Sequence, residues 1–438
     1  MVRRPSTEPA RPALSRRRYL ALAGVAGAAG TVGVGTATGA EQDSPSPPGV
    51  AAQAEYEQLR ITGTAPAHDT DRLLVGRRGS RPEPDDPVRI AAVDADGTVR
   101  RRRSITPDLP REAHATPDVV RTAEGYAIAA GAWLARLTPD LSVLSIGKRG
   151  EIPATERTTL LPVDGGFVVG FTEWLPNAFW TWLVGFDADG AYAWHHQHNV
   201  NGSQALAFLV PDGEGGAVAG GTFPWLASVG ADGSFERVTL PDGLPDGVLQ
   251  TGARDGDGLV LSRGDAMARL DADFELDWTS QHDALSDRAV RELVPVDDGF
   301  LVRTTAGESG DLTLGKVDSG GELRWHRAYR IDAERQVEPL TLTATGEGEY
   351  LVAGGYHLSP RGWILRLSDT VAPESTATPT PTTPATTATA DTTPTPSRTA
   401  TSTPTAEDPT TTTGAGFRVT AACAGVAAAL ARLLERSE

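Results

Sequence analysis

The sequence predicts an all-β fold, a ring of seven four-stranded blades with an unstructured stalk behind it. Three observations carry that expectation. A unit built on Trp-Leu recurs seven times between residues 50 and 370, at intervals of 41–50 residues. Each interval divides into four short apolar runs separated by Gly, Asp and Pro turns, without helical periodicity. Beyond the seventh copy the composition changes at once to Thr and Pro.

The first element is residues 1–40. Ser15-Arg16-Arg17-Arg18-Tyr19-Leu20 precedes an Ala/Gly/Val run that ends near Thr38, which is the layout of a cleavable export signal. The segment is similar to the twin-arginine signal, with Tyr19 in the Phe place. The resemblance implies recognition of Arg16 and Arg17 by the twin-arginine export machinery and passage of the chain in folded form. An uncleaved N-terminal anchor is the alternative, though Gly and Thr dilute its apolar run.

Residues 41–370 hold the repeats. The clearest copy reads Gly165-Gly166-Phe167-Val168-Val169-Gly170, then Trp182-Leu183-Val184-Gly185-Phe186, then Asp187-Ala188-Asp189-Gly190 and Ala191-Tyr192-Ala193-Trp194-His195. The Trp-Leu register falls at Arg89, Trp133, Trp182, Trp225, Ala266, Thr313 and Trp363. In each copy a first strand ends in a turn such as Pro162–Gly165. A continuous apolar strand follows, as at Phe300-Leu301-Val302, then the Trp-Leu strand. A turn at Asp94–Gly97, Asp187–Gly190 or Ala231–Gly233 then leads to a fourth strand. Four short strands per repeat is the pattern of a β-propeller blade, and seven blades close a ring. The seventh copy stops at Leu367-Ser368-Asp369 without a fourth strand, whereas Gln53–Arg60 precedes the first blade unassigned. We expect that N-terminal strand to complete the last blade; an open arc of six and a half blades is the alternative.

These repeats resemble secreted archaeal propeller proteins with PQQ-like or WD40-like blades over about 320 residues, best at 164–198, 298–329 and 348–368. The resemblance implies the fold and leaves the activity open. Its enzymatic branch, the quinone-dependent dehydrogenases, implies eight blades, a calcium ion and a vicinal disulfide. Here there are seven copies and one Cys, Cys423, in the tail. No cofactor is expected.

Residues 371–413 contain 19 Thr and 8 Pro among 43 positions, too little apolar surface to offset the entropy of ordering. They read as an extended stalk of the kind that carries O-linked sugars. Residues 414–438 run from Gly414-Ala415-Gly416-Phe417 through an Ala/Val/Leu segment to Leu434. They are similar to the archaeal sorting tail built on Pro-Gly-Phe, with Ala415 in the Pro place. That resemblance implies cleavage and a lipid anchor; otherwise the segment is a short transmembrane helix. Either places the protein outside the cell, in contact with the membrane through this segment only.

The net charge is −17, with 57 acidic residues against 38 Arg and two Lys, Lys148 and Lys316. This acidity argues against a nucleic-acid partner, and the Lys-poor composition resembles that of salt-adapted haloarchaeal proteins. Trp194-His195-His196-Gln197-His198 invites a metal, yet Trp325-His326 and Asp277-Trp278 occupy the same blade position and no third-ligand motif accompanies it. No metal site is expected. The turn aspartates lack the oxygen count of a calcium loop. Trp133, Trp182, Trp225 and Trp363 share a repeat position and are expected to pack between blades. Trp174 and Trp180 fall in a loop, Thr172–Thr181, outside the register. With loop residues Arg77, Arg78 and His357 they are the candidate ligand contacts. No motif of nucleophilic, zinc-protease or phosphate chemistry is present, so no catalytic residue is assigned. The expected function is a surface-tethered binding or structural module whose partner is an envelope glycan or surface protein. The alternative is a secreted glycan hydrolase or lyase with its acids clustered on one face, or a quinone-dependent dehydrogenase.

Overall fold

The computed structural model describes residues 46–79, 86–107, 115–150, 157–175, 178–198, 205–285, 289–304, 311–332 and 335–371. The export segment, nearly all of the Thr/Pro stalk and the C-terminal tail lie outside the described residues.

The ring is built from seven antiparallel sheets of four strands. Blade 7 borrows its outermost strand, β1 (Gly49–Tyr56), from the N-terminus. Blade 1 runs β2 (Arg60–Pro66), β3 (Arg72–Arg77), β4 (Val88–Val93) and β5 (Val99–Ile105). Blade 2 runs β6 (Asp118–Thr122), β7 (Gly125–Ala130), β8 (Trp133–Leu137) and β9 (Val143–Lys148). Blade 3 comprises β10 (Thr159–Val163), β11 (Gly166–Leu175), β12 (Ala178–Asp187) and β13 (Tyr192–His198). Blade 4 comprises β14 (Leu206–Pro211), β15 (Ala217–Gly221), β16 (Trp225–Val229) and β17 (Phe235–Val238). Blade 5 holds β18 (Leu249–Asp255), β19 (Gly258–Arg263), β20 (Ala266–Leu270) and β21 (Leu276–Gln281). Blade 6 holds β22 (Val290–Val296), β23 (Gly299–Thr304), β24 (Leu312–Asp318) and β25 (Leu323–Tyr329). Finally β26 (Val337–Gly346), β27 (Glu349–Tyr356) and β28 (Gly362–Ser368) complete blade 7. All seven register residues lie in third strands, and the one other regular element among the described residues is a 3₁₀ turn at Asp283–Leu285. Among the described residues no helix is long and apolar enough to cross a membrane.

Second strands read as unbroken apolar runs because neighbouring blades cover both their faces; Gly125–Ala130 and Gly299–Thr304 are buried throughout. Trp133, Trp225 and Trp363 are fully buried at the start of third strands, whereas Trp182 is only partly covered. Fourth-strand tryptophans pin blade 3 to blade 4 and blade 5 to blade 6. Trp194 donates its ring N–H to the Ala231 carbonyl at 3.0 Å, and Trp278 does the same to Ser319 at 3.1 Å. Both acceptors lie in the turn that closes the following blade. Those turns are tight. Asp187 Oδ1 accepts the N–H groups of Asp189 at 3.0 Å and Ala191 at 2.8 Å, and Gly190 takes φ +81°. The turn aspartates are thus occupied in capping their own hairpins. A basic residue at the fourth place of the third-strand unit ties down the same end. Arg136 meets Glu124 and Asp189, Arg269 meets Asp255, Asp257 and Asp277, and Lys316 meets Asp298.

Closure by the N-terminal strand is as expected, but its limits are shifted. The sequence places it at Gln53–Arg60; it spans Gly49–Tyr56, pairing from Gly49↔Ser368 to Tyr56↔Gly362. The reason is a turn at Glu57–Leu59, where Gln58 takes φ +57°, so that Arg60 already opens the first blade. Tyr56 is buried and donates its hydroxyl to the Gly97 carbonyl of blade 1 at 2.9 Å. Tyr329 of blade 6 reaches back to the Pro48 carbonyl at 2.9 Å. Glu55 receives the Tyr356 hydroxyl at 2.6 Å and Arg335 at 2.7 Å. The terminal strand is therefore held by a main-chain carbonyl of blade 1 and by side chains of Tyr329, Arg335 and Tyr356.

Candidate functional site

Because strand direction alternates in each blade, the two ends of the ring differ. One end carries the short turns described above. The other carries every connection from second to third strand and every crossover between blades. The five sequence candidates, Trp174, Trp180, Arg77, Arg78 and His357, all lie at this loop end, on blades 3, 1 and 7.

Trp174 and Trp180 are not in a loop. The second and third strands of blade 3 each run to ten residues, so Thr172–Thr181 is the far end of a hairpin that stands beyond the blade. Its aromatic side chains supply cross-strand pairs that keep the ladder going. Trp174 pairs with Phe179 and Glu173 with Trp180. Trp174 and Phe179 meet edge to face with centroids 5.1 Å apart, and Trp174 remains 47% exposed. On the opposite face Glu173 is buried and accepts the Trp182 ring N–H at 2.8 Å. Thr172 accepts the Leu206 N–H at 3.0 Å and fixes the hairpin to blade 4, whose connection presents Phe223 at 41% exposure.

Arg77 is not a surface residue. It is 1% exposed at the end of β3, where burial pulls its guanidinium down to about 10 against the opposing charge of Asp86. Inside the second strand it is covered from both sides. Arg78, the next residue, is exposed. His357 is exposed, and its Nδ1 lies 2.9 Å from Glu338 Oε1. Glu338 also pairs with Arg60. Burial pushes the Glu338 carboxyl upward, but Arg60 and His357 outweigh it and hold it below the usual carboxylate range.

A second group at this end was not singled out from the sequence. Asp118, Arg157, Glu292 and Arg303 come from blades 2, 3 and 6 and converge at the mouth of the central channel. Arg303 donates Nε–H to Glu292 Oε2 at 2.9 Å, and Arg157 lies 3.6 Å from Glu292 Oε1. Blades 3 and 6 are not neighbours, so this ion pair spans the channel. Asp118 accepts the N–H groups of Val119 at 2.8 Å and Leu160 at 2.9 Å. Burial raises its pKa, opposed by those hydrogen bonds and by Arg157. No repeat position predicts the group, because each residue departs from the repeat in its own blade. The one available signal is that all four lie near the loop end of first or second strands.

The Trp194–His198 stretch does not assemble a metal centre. His196 and His198 share one face, where His196 packs beside Phe235 at 5.3 Å and His198 beside Trp225 at 4.4 Å. His196 Nε2 also contacts the Gly233 carbonyl. His195, on the other face, sits 2.8 Å from the Tyr192 hydroxyl; burial, then Arg149, lowers its pKa. Among the described residues no three His, Cys, Asp or Glu side chains converge as ligands.

No family model matches this chain, and no curated protein matches it. Several solved structures are similar to it. The WD40 β-propeller domain of Doa1 is 11% identical over 73% of this chain and 96% of its own, with a TM-score of 0.47. Saccharomyces cerevisiae Sqt1 is 9% identical over 74% and 100%, with a TM-score of 0.45. YCF48 bound to D1 peptide is 11% identical over 73% and 99%, with a TM-score of 0.47.

Proposed function

We propose that this propeller is an exported, surface-tethered binding module that takes an envelope protein or glycan on its loop end. The observation that carries the reading is the lengthened hairpin of blade 3. Among the described residues it is the one departure from regular blade length that sets an exposed Trp174, backed by the half-buried Phe179, on a rigid two-stranded support. Exposed aromatics held on stiff scaffolds are what binding hot spots are made of. The Arg157–Glu292 pair across the channel mouth favours a ligand seated on this end over one threaded through the ring. The same cluster gives little support to the hydrolase alternative. Both Asp118 oxygens accept main-chain N–H groups, and both Glu292 oxygens face arginines, so neither carboxyl is poised for acid–base work. Export and tethering rest on Arg16, Arg17 and the tail sequence.

The test is a screen of the purified chain against glycan arrays and solubilised envelope proteins. Trp174→Ala/Phe179→Ala, with unchanged thermal unfolding, is expected to weaken whatever the wild type retains by about tenfold or more. Turnover of a polysaccharide by the wild type, or retention unaffected by the double substitution, overturns the proposal.

A further inference from the structure

The outermost strand of blade 1 reads Val99-Arg100-Arg101-Arg102-Arg103-Ser104-Ile105. Four consecutive arginines on a sheet edge are out of keeping with a chain of net charge −17. Two of them have internal duties. Arg100 pairs with Asp94 in the adjoining turn, and Arg101 pairs with Asp69 and donates to the Pro139 carbonyl at 3.2 Å. Arg102 and Arg103 are exposed and meet no carboxylate among the described residues. Elsewhere the chain brings two or more carboxylates to a single arginine, as at Arg136, Arg269 and Arg324. Arg102 and Arg103 are left facing solvent in a protein that has acids in excess.

Their surroundings are built as a groove. Arg89, on the neighbouring strand, donates to Gln58 Oε1 at 3.2 Å, while its Nε is buried without a partner. Arg89 and Arg102 share one face of the sheet and, with the adjoining Arg103 position, line a cleft whose other wall is Tyr56–Leu59, the turn where the closing strand enters blade 1. Its acid, Glu57, faces Arg361 at 3.6 Å. Among the described residues no strand pairs with the outer edge of β5, so alternate N–H and C=O groups along it are open.

We propose that this edge accepts an extended acidic polypeptide segment as a fifth strand of blade 1. Successive side chains of an added strand point to opposite faces, and Arg102 and Arg103 likewise point to opposite faces, so carboxylates on both sides of the segment would meet a guanidinium. Charge alone suits any polyanion. The open main-chain ladder favours a polypeptide, because only a polypeptide completes it. Arginines on an edge also deter self-pairing, but that task does not call for the cleft with Arg89 behind them.

The test uses the whole purified chain and an eight-residue fluorescein-labelled peptide, Thr-Glu-Glu-Thr-Thr-Glu-Glu-Thr, whose paired glutamates put carboxylates on both faces of an extended strand, read by anisotropy. A second peptide of the same sequence carries N-methyl groups at alternate residues, which keep the charge and remove the ladder donors. Arg102→Ser/Arg103→Ser is expected to weaken binding of the first peptide about tenfold or more, with unchanged thermal unfolding. N-methylation is expected to weaken binding to the wild type by a similar factor. The proposal fails if the parent peptide does not bind, if either change leaves binding within about threefold, or if oligo(dT) or phosphatidylglycerol vesicles outcompete the peptide at equal charge.

Discussion

Tyr56 offers the sharpest test of how the ring is shut. Its ring is 4% exposed between blades 7 and 1, packed in a cluster with Leu59, Ile61, Leu74 and Ile364. Its hydroxyl is bonded to Gly97. Replacing a buried aromatic by alanine costs about 3–5 kcal/mol. The Gly97 carbonyl loses its partner as well, adding about 1–3 kcal/mol where water cannot reach it. Tyr56→Ala should therefore lower the unfolding free energy by at least about 4 kcal/mol. Tyr56→Phe keeps the ring and should cost only about 1–2 kcal/mol. Urea unfolding followed by tryptophan fluorescence and far-UV dichroism measures both, provided that the two probes give coincident transitions. If Tyr56→Ala falls within about 1 kcal/mol of wild type, the N-terminal strand contributes little to closure and the argument from its packing is wrong. Equal costs for the two variants would mean that the hydroxyl, and not the ring, holds the strand.

Four further outcomes follow from the same structure. Burial raises the pKa of Tyr56 to about 12 and also raises those of Tyr329, Tyr350 and Tyr356. The neutral hydroxyl is thus favoured in the fold, so stability is intact below the ordinary tyrosine pKa of about 10 and is lost as pH rises above it; an alkaline melt series in which Tyr56→Phe is as sensitive as wild type would contradict this. The lowered pKa values of His195 and His282 act in the opposite sense, with stability intact above about pH 6.5 and falling as the pH drops below it, readable from thermal midpoints between pH 7 and 5. A Cβ on Gly185 would lie 2.1 Å from the Trp194 ring, so Gly185→Ala should cost about 1–3 kcal/mol and Gly185→Ala/Trp194→Leu should recover part of it. Replacing Arg16 and Arg17 by Lys should hold the chain inside the cell, and fractionation that finds it still exported removes the twin-arginine assignment.

Sequence period explains why the blades could be read and the loop end could not. The Trp-Leu unit and the Asp-Gly turns recur because every blade solves the same packing problem, and repetition makes a weak local pattern strong. Trp133, Trp225 and Trp363 occupy the buried place that their register implies. Even so, the β1 limits were displaced by four residues, since nothing local in Glu57-Gln58-Leu59 announces a turn whose αL residue is a glutamine. Trp174 and Trp180 were assigned to a loop because a ten-residue strand breaks the blade's usual length. Arg77 passed for a surface residue because arginine beside a Gly-rich connection is ordinarily exposed; only the covering of second strands on both faces shows otherwise. The channel-mouth group Asp118, Arg157, Glu292 and Arg303 joins positions up to 185 residues apart, and no spacing rule within one repeat brings them together.

The way the two chain ends meet has a mechanical consequence. The Gly49 N–H donates to the Val371 carbonyl at 3.0 Å, so the polypeptide enters and leaves the ring at one spot, on the turn-bearing end, away from Trp174. A pull arriving through Val371 would be felt first by the rungs joining β28 to β1 and β27, and the other six wedges would be spared until those rungs gave way.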